Sequence, residues 1–147
     1  MIYGETRTEG KVTVFRLLSD LSTENVKPFL KKMNELLDES RVFLILDMSD
    51  VEEVSLLGMV AISSVFNRCR QAGGALKIAQ LTPPVRRAFR ATNLINTIEV
   101  YEETVEALKT FNSHNLLKAK NFAGSFFLKD RNAFVGWDRY PLTGMVQ

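Results

Sequence analysis

Nucleophilic or acid-base chemistry needs a hydroxyl, thiol or carboxylate beside a group that moves its proton, and this chain supplies such groups sparingly. Its one histidine, His114, lies in the polar run Asn112-Ser113-His114-Asn115 and reads as a solvated loop residue, not as the base of a serine-histidine pair. One histidine and one cysteine cannot make up a usual zinc ligand set, so no metal site is expected. Cys69 falls in line with Met59, Ile62 and Phe66 at helical spacing, which predicts a buried thiol. The carboxylate pairs Glu52-Glu53 and Glu102-Glu103 read as solvated loops or as charges favouring a helix N-terminus. Neither a GxGxxG nor a P-loop pattern occurs, and Gly73-Gly74 is explained by a helix exit. No catalytic residue and no cofactor is expected, and the chain is read as non-enzymatic.

Two groups keep a directed chemistry. Arg86, Arg87 and Arg90 form a dense basic cluster whose guanidinium forks suit carboxylates or phosphates, although a solvated helix face would read the same way. Ser55 opens the turn Ser55-Leu56-Leu57-Gly58 at a strand-loop-helix junction. Its oxygen is placed to accept a first-turn N–H as a helix N-cap, and the same hydroxyl is a weak candidate for phosphorylation.

The elements around these groups follow from periodicity. Lys11 to Leu17 alternates as a strand does, and Thr6 to Gly10 is expected to close a hairpin with Met1 to Glu5. Val26, Phe29, Leu30, Met33, Leu36 and Leu37 gather on one side only in a helix, which Asn25 or Thr23 should cap and Pro28 confines to start nearby. Val42 to Asp47 is apolar at consecutive positions, as in a strand covered on both faces. A helix from Ser55 to Gly73, a strand at Leu76–Leu81, a helix opened by Thr82-Pro83, a strand at Thr97–Tyr101 and a helix with Val105, Leu108 and Phe111 complete the order. Alternating strands and helices predict an α/β domain with parallel strands.

This order resembles the STAS family, shared by anti-sigma factor antagonists and sulfate transporter tails. The residues that carry the resemblance are the strand ending at Asp47, the turn at Gly58, the helix exit Gly73-Gly74 and the helix start Pro83-Pro84-Val85-Arg86-Arg87. It covers roughly residues 8 to 111, and it implies a mixed sheet of four to five strands packed with about four helices. In that family the junction usually reads Asp-Ser-Ser-Gly, and a partner kinase phosphorylates the second serine. Anchoring on Gly58 places Ser55 at the aspartate, Leu56 at the first serine and Leu57 at the phosphoacceptor, so the switch hydroxyl is absent.

The resemblance therefore implies a protein-binding regulatory domain of the anti-sigma factor antagonist kind without the usual phosphoserine switch, its partner an anti-sigma factor or related kinase. Partner-binding candidates are Ser49, Asp50, Ser55, Leu56, Leu57, Gly58, Arg86, Arg87 and Arg90. The alternatives are a scaffold or regulatory subunit of a transporter or signalling complex, or a small-ligand or nucleotide-binding domain.

The chain has 147 residues, a net charge of +2 and 46% hydrophobic content, which suits one globular core and gives no argument for nucleic acid. Apolar runs fall far short of the ~20 residues of a membrane-spanning helix, and Met1 to Glu5 lacks a signal-peptide pattern, so a cytoplasmic protein is expected, and the resemblance implies a bacterial one. The domain is placed at 1–111 and a C-terminal extension at 112–147. There Gly124–Leu128 and Ala133–Trp137 are aromatic-rich and predict a hairpin-like unit packed on the domain or at a homodimer interface.

Overall fold

An alternating ribbon begins the described chain. The computed structural model describes residues 4–112. Gly4–Glu9 (β1) and Val12–Leu17 (β2) pair antiparallel around a turn at Gly10 and Lys11. The turn thus begins only at the last residue of the Thr6 to Gly10 stretch, and the rest of that stretch is itself strand. All six β1 residues are exposed, and an outer strand with no face to bury needs no apolar alternation to announce it.

A 3₁₀ turn at Thr23–Asn25 leads into Val26–Asp38 (α1), which buries Phe29, Met33 and Leu36. Pro28 falls in the first turn, where its missing N–H breaks no intrahelical bond. Asn25 occupies the cap position without capping, because it leaves the 3₁₀ turn with its backbone already helical at φ −93° and ψ −4°, and its Nδ2 donates to the Asp20 carbonyl at 2.8 Å. Phe43–Asp47 (β3) then runs parallel to β2 and pairs on its other side with Ala75–Ala79 (β4), so that Ile45 lies between Val14 and Lys77.

Between those strands Leu56–Gln71 (α2) forms, and Gly73 leaves it at φ +87°, a conformation glycine adopts without steric cost. Pro83–Ala91 (α3) follows β4 with proline at its start. The last strand among the described residues, Val100–Tyr101 (β5), is shorter than the expected Thr97–Tyr101. Asn93 turns left-handed at φ +65°, a 3₁₀ turn forms at Leu94–Asn96, and the N–H groups of Thr97 and Ile98 bond back to the Leu94 carbonyl. Those bonds remove the two residues from any ladder. Residues 104–112 are helical (α4).

The five strands lie in the order β1-β2-β3-β4-β5, antiparallel only at β1. This is the mixed five-stranded sheet with four helices that the resemblance implied. One face, with Phe15, Leu17, Leu44, Leu46, Leu76 and Ile78, shares a core with Phe29 and Met33 of α1, Ile62 and Val65 of α2, and Val85 and Phe89 of α3. Each such side chain contributes about 1.5–3 kcal/mol by leaving water. Val12, Val14 and Ile45 on the other face are buried as well, which accounts for the unbroken apolar run of β3. The chain divides after Thr104 into two compact units, and the described part of the second is helical to 112. The expected tail hairpin, the homodimer contact expected of it and His114 lie outside the described residues.

Candidate functional site at the start of the second helix

Parallel strands deliver their following loops to one end of the sheet, and here the loops after β2, β3 and β4 are bound together there. Leu21 N–H donates to the Glu53 carbonyl at 3.0 Å and Ser55 N–H to the Leu21 carbonyl at 2.9 Å. Asp20 Oδ1 accepts from the N–H groups of Glu52 and Glu53 at 2.8 and 3.3 Å. From the third loop, Thr82 Oγ1 donates to the Val51 carbonyl at 2.7 Å. Thr82 thereby spends its hydroxyl between loops and makes no side-chain cap on α3.

The strand end beneath this junction is also held. Asp47, 8% exposed, accepts from Ser49 N–H at 3.0 Å through Oδ1 and from Gln80 Nε2 at 3.2 Å and Thr104 Oγ1 at 3.4 Å through Oδ2. Its charge is met by neutral donors, as a buried carboxylate requires. Gln80 reaches it from a left-handed backbone, φ +63°, so the turn after β4 carries strain that this network helps to hold.

Ser55 is the N-cap of α2: its Oγ accepts from Gly58 N–H at 3.0 Å. Gly58 is required by close approach. A Cβ there would lie 2.9 Å from the Leu21 carbonyl oxygen and 2.9 Å from Val54 Cγ1, so the strap that fixes the junction also excludes a side chain. Leu56 and Leu57 then point outward, 72% and 53% exposed, with Val60 at 58% one turn further on. Asp50, in the preceding loop, is exposed and paired through Oδ2 with Arg16 Nη2 at 2.8 Å. Ser49 is half-buried beside it.

The sequence-predicted residues Ser49, Asp50, Ser55, Leu56, Leu57 and Gly58 are therefore gathered on one loop and helix start. Arg86, Arg87 and Arg90 stand apart on α3, and among the described residues no hydrogen bond or ion pair joins them to that start. Arg86 is engaged by Glu102 at 3.0 Å, which leaves Arg87 and Arg90 as exposed guanidiniums. Sequence reasoning missed Asp20, Leu21 and Val60. Only a long-range strap gives the first two their role, whereas the i, i+3 and i+4 spacing of Val60 from Leu57 and Leu56 was available to find it.

Among the described residues no group of three or more histidine, cysteine, aspartate or glutamate side chains could hold a metal ion, and no helix is long and apolar enough to cross a membrane. Burial pushes the Cys69 thiol up to about 11, which keeps it in the unreactive protonated form at neutral pH.

A strapped strand-loop-helix junction on a mixed five-stranded sheet is the architecture of the STAS class. The STAS domain family matches residues 3–107, and the chain belongs to that family. In fold it is similar to a candidate anti-sigma factor antagonist from Thermotoga maritima, at TM-score 0.70 and 22% identity over 73% of this chain and 92% of that one. It is also similar to the anti-sigma factor antagonist SpoIIAA of Bacillus in its unphosphorylated form, at TM-score 0.66 and 14% identity over 76% and 97% of the two chains. A sulfate transporter family protein from Wolinella succinogenes shares the fold at TM-score 0.61 and 18% identity over 69% and 85%. No curated protein sequence matches the chain significantly.

Proposed function

We propose that this chain is a non-enzymatic, cytoplasmic protein-binding regulator of the anti-sigma factor antagonist kind, docking its partner on the start of α2 without a phosphoserine switch. The observation that carries this reading is the pair Leu57 and Ser55. Leu57 occupies the exposed position where the family resemblance puts the acceptor, and it has no oxygen nucleophile. The Ser55 hydroxyl, two residues earlier, is turned onto Gly58 N–H as a cap. Phosphoryl transfer depends on in-line positioning, so a hydroxyl held against the helix backbone is a poor acceptor. SpoIIAA is known in phosphorylated and unphosphorylated forms. On this reading the present chain has one form, and its binding is set by abundance or by what it meets.

The test begins with affinity capture from the native cell to obtain the partner, an anti-sigma factor or related kinase. Incubation with that kinase and ATP, followed by intact-mass analysis, should add no phosphate to the parent and one to Leu57→Ser. Leu57→Asp, which mimics a fixed charge, should release the partner. A stoichiometric phosphate on parent Ser55 would overturn the unswitched reading. Captured protein bound equally by Leu57→Asp would overturn the docking face.

A further inference from the structure

Resting on the reading of the α2 start as a docking face, we propose that the partner segment received there is apolar and basic: leucine- or valine-sized side chains flanked by lysine or arginine. Leu56, Leu57 and Val60 are three of the five exposed large hydrophobics among the described residues, and all three fall within the first five residues of one helix. The neighbouring segments carry carboxylates with no ion-pair partner among the described residues. Glu52 and Glu53 lie three and two residues before the cap, and their backbone is fixed by Asp20 and Leu21. Glu24 belongs to the 3₁₀ turn Thr23–Asn25, which packs on α2.

All three glutamates are exposed, and no ion pair reaches their carboxylates among the described residues. The basic groups nearest in these segments do not cancel them. Arg16 is committed to Asp50 at 2.8 Å, and the exposed α1 lysines Lys27 and Lys31 form no ion pair with the three glutamates. Nor do the carboxylates serve as helix caps, because Ser55 supplies the cap. Apolar side chains inside an acidic rim select a partner by the opposite rim charge.

Other occupants fit worse. A second copy meeting this face through a two-fold axis would set the same carboxylates against themselves. An anionic lipid surface would be repelled in the same way, and an acidic peptide likewise.

The test uses the full chain and two synthetic amphipathic helical peptides of equal length, both with a leucine face, one flanked by lysine and the other by glutamate. Fluorescence anisotropy should show the lysine peptide binding about tenfold more tightly at low ionic strength, with the gap closing as salt screens the rim. The double variant Glu52→Lys/Glu53→Lys should erase or reverse that preference. Leu57→Ser/Val60→Ser should weaken both peptides.

Equal binding of the two peptides, preference for the glutamate peptide, or a preference that survives the charge reversal overturns the proposal. So does self-association in sedimentation that Leu57→Ser/Val60→Ser abolishes. If the lysine peptide fails while captured native partner is still lost by Leu57→Asp, the partner chemistry falls and the docking face stands. If Leu57→Asp also leaves the captured partner bound, the docking face itself falls.

Discussion

Gly58 shows how one missing side chain fixes the geometry of the junction. Its place is set by the Leu21 carbonyl, which accepts from Ser55 and lies 2.9 Å from where a Cβ would be. Gly58→Val must push that backbone away, and overpacking of this kind costs about 1–3 kcal/mol. A urea midpoint lower than the parent's, with an unchanged slope, is the expected result. Lys77 poses the opposite problem, a charge that the fold buries. It lies 7% exposed on β4 with its Nζ 3.3 Å from Glu99 Oε1 and over the Tyr101 ring. Burial lowers its pKa from 10.5, and the Glu99 carboxylate offsets this only in part. Between the lowered value and 10.5 the folded chain gives up this proton while the unfolded chain keeps it, so stability rises with pH through that window, and the cost of burying the charge is fully present below it. Lys77→Met should stabilise the fold at pH 7 by about 1 kcal/mol, and the gain should shrink toward pH 10.5. Thermal unfolding of parent and variant at several pH values measures both the sign and the trend.

The helix α2 depends on its cap more than on amphipathic pattern, because its outer side begins with leucines and its inner side includes glycine and alanine. Ser55→Ala should cost about 1 kcal/mol, while Ser55→Asp, which can accept the same N–H, should stay near the parent. Chemical denaturation of the two variants checks this. Such local signals made much of the fold legible. The apolar run ending at Asp47, the serine before α2, Gly73 after it and Thr82-Pro83 before α3 each mark an element boundary with a physical cause within a few residues. What was not legible is non-local. Thr82 looked like a cap and is a strut to Val51, and Asn25 looked like a cap and binds Asp20. Thr97 and Ile98 looked like strand and fold back on Leu94. At the site, Ser49 through Gly58 could be read together because one segment carries them. Asp20 and Leu21 could not, since their role is to hold another loop, and nothing in the Arg86, Arg87 and Arg90 cluster disclosed that Glu102 engages one of the three.

Across the whole sheet, stability should be graded from the middle outward, because burial and pairing are. β2, β3 and β4 are each paired on both sides, and Val12 to Phe15, Leu44 to Asp47 and Leu76 to Ala79 are buried. β1 is paired on one side in the sheet and exposed along its length, and β5 has only two residues. Local opening needs little apolar surface to be exposed at the edges and nearly all of it at the centre, so protection should follow that order. Amide hydrogen exchange should be slowest at Leu44, Ile45 and Leu46, and fast in the outward-facing N–H groups of β1. The loop from Met48 to Val54 should be slower than its irregular shape suggests, since Met48, Val51, Glu52 and Glu53 each donate a hydrogen bond. That last expectation bears on function. On the proposed reading, a docking face with no phosphate to remodel it should be preorganised in the free protein, so partner binding should leave loop protection nearly unchanged while protecting the first turn of α2. Exchange across 48–54 as rapid as that of β1, slowing only when the partner is added, would instead mean that the junction is ordered by binding.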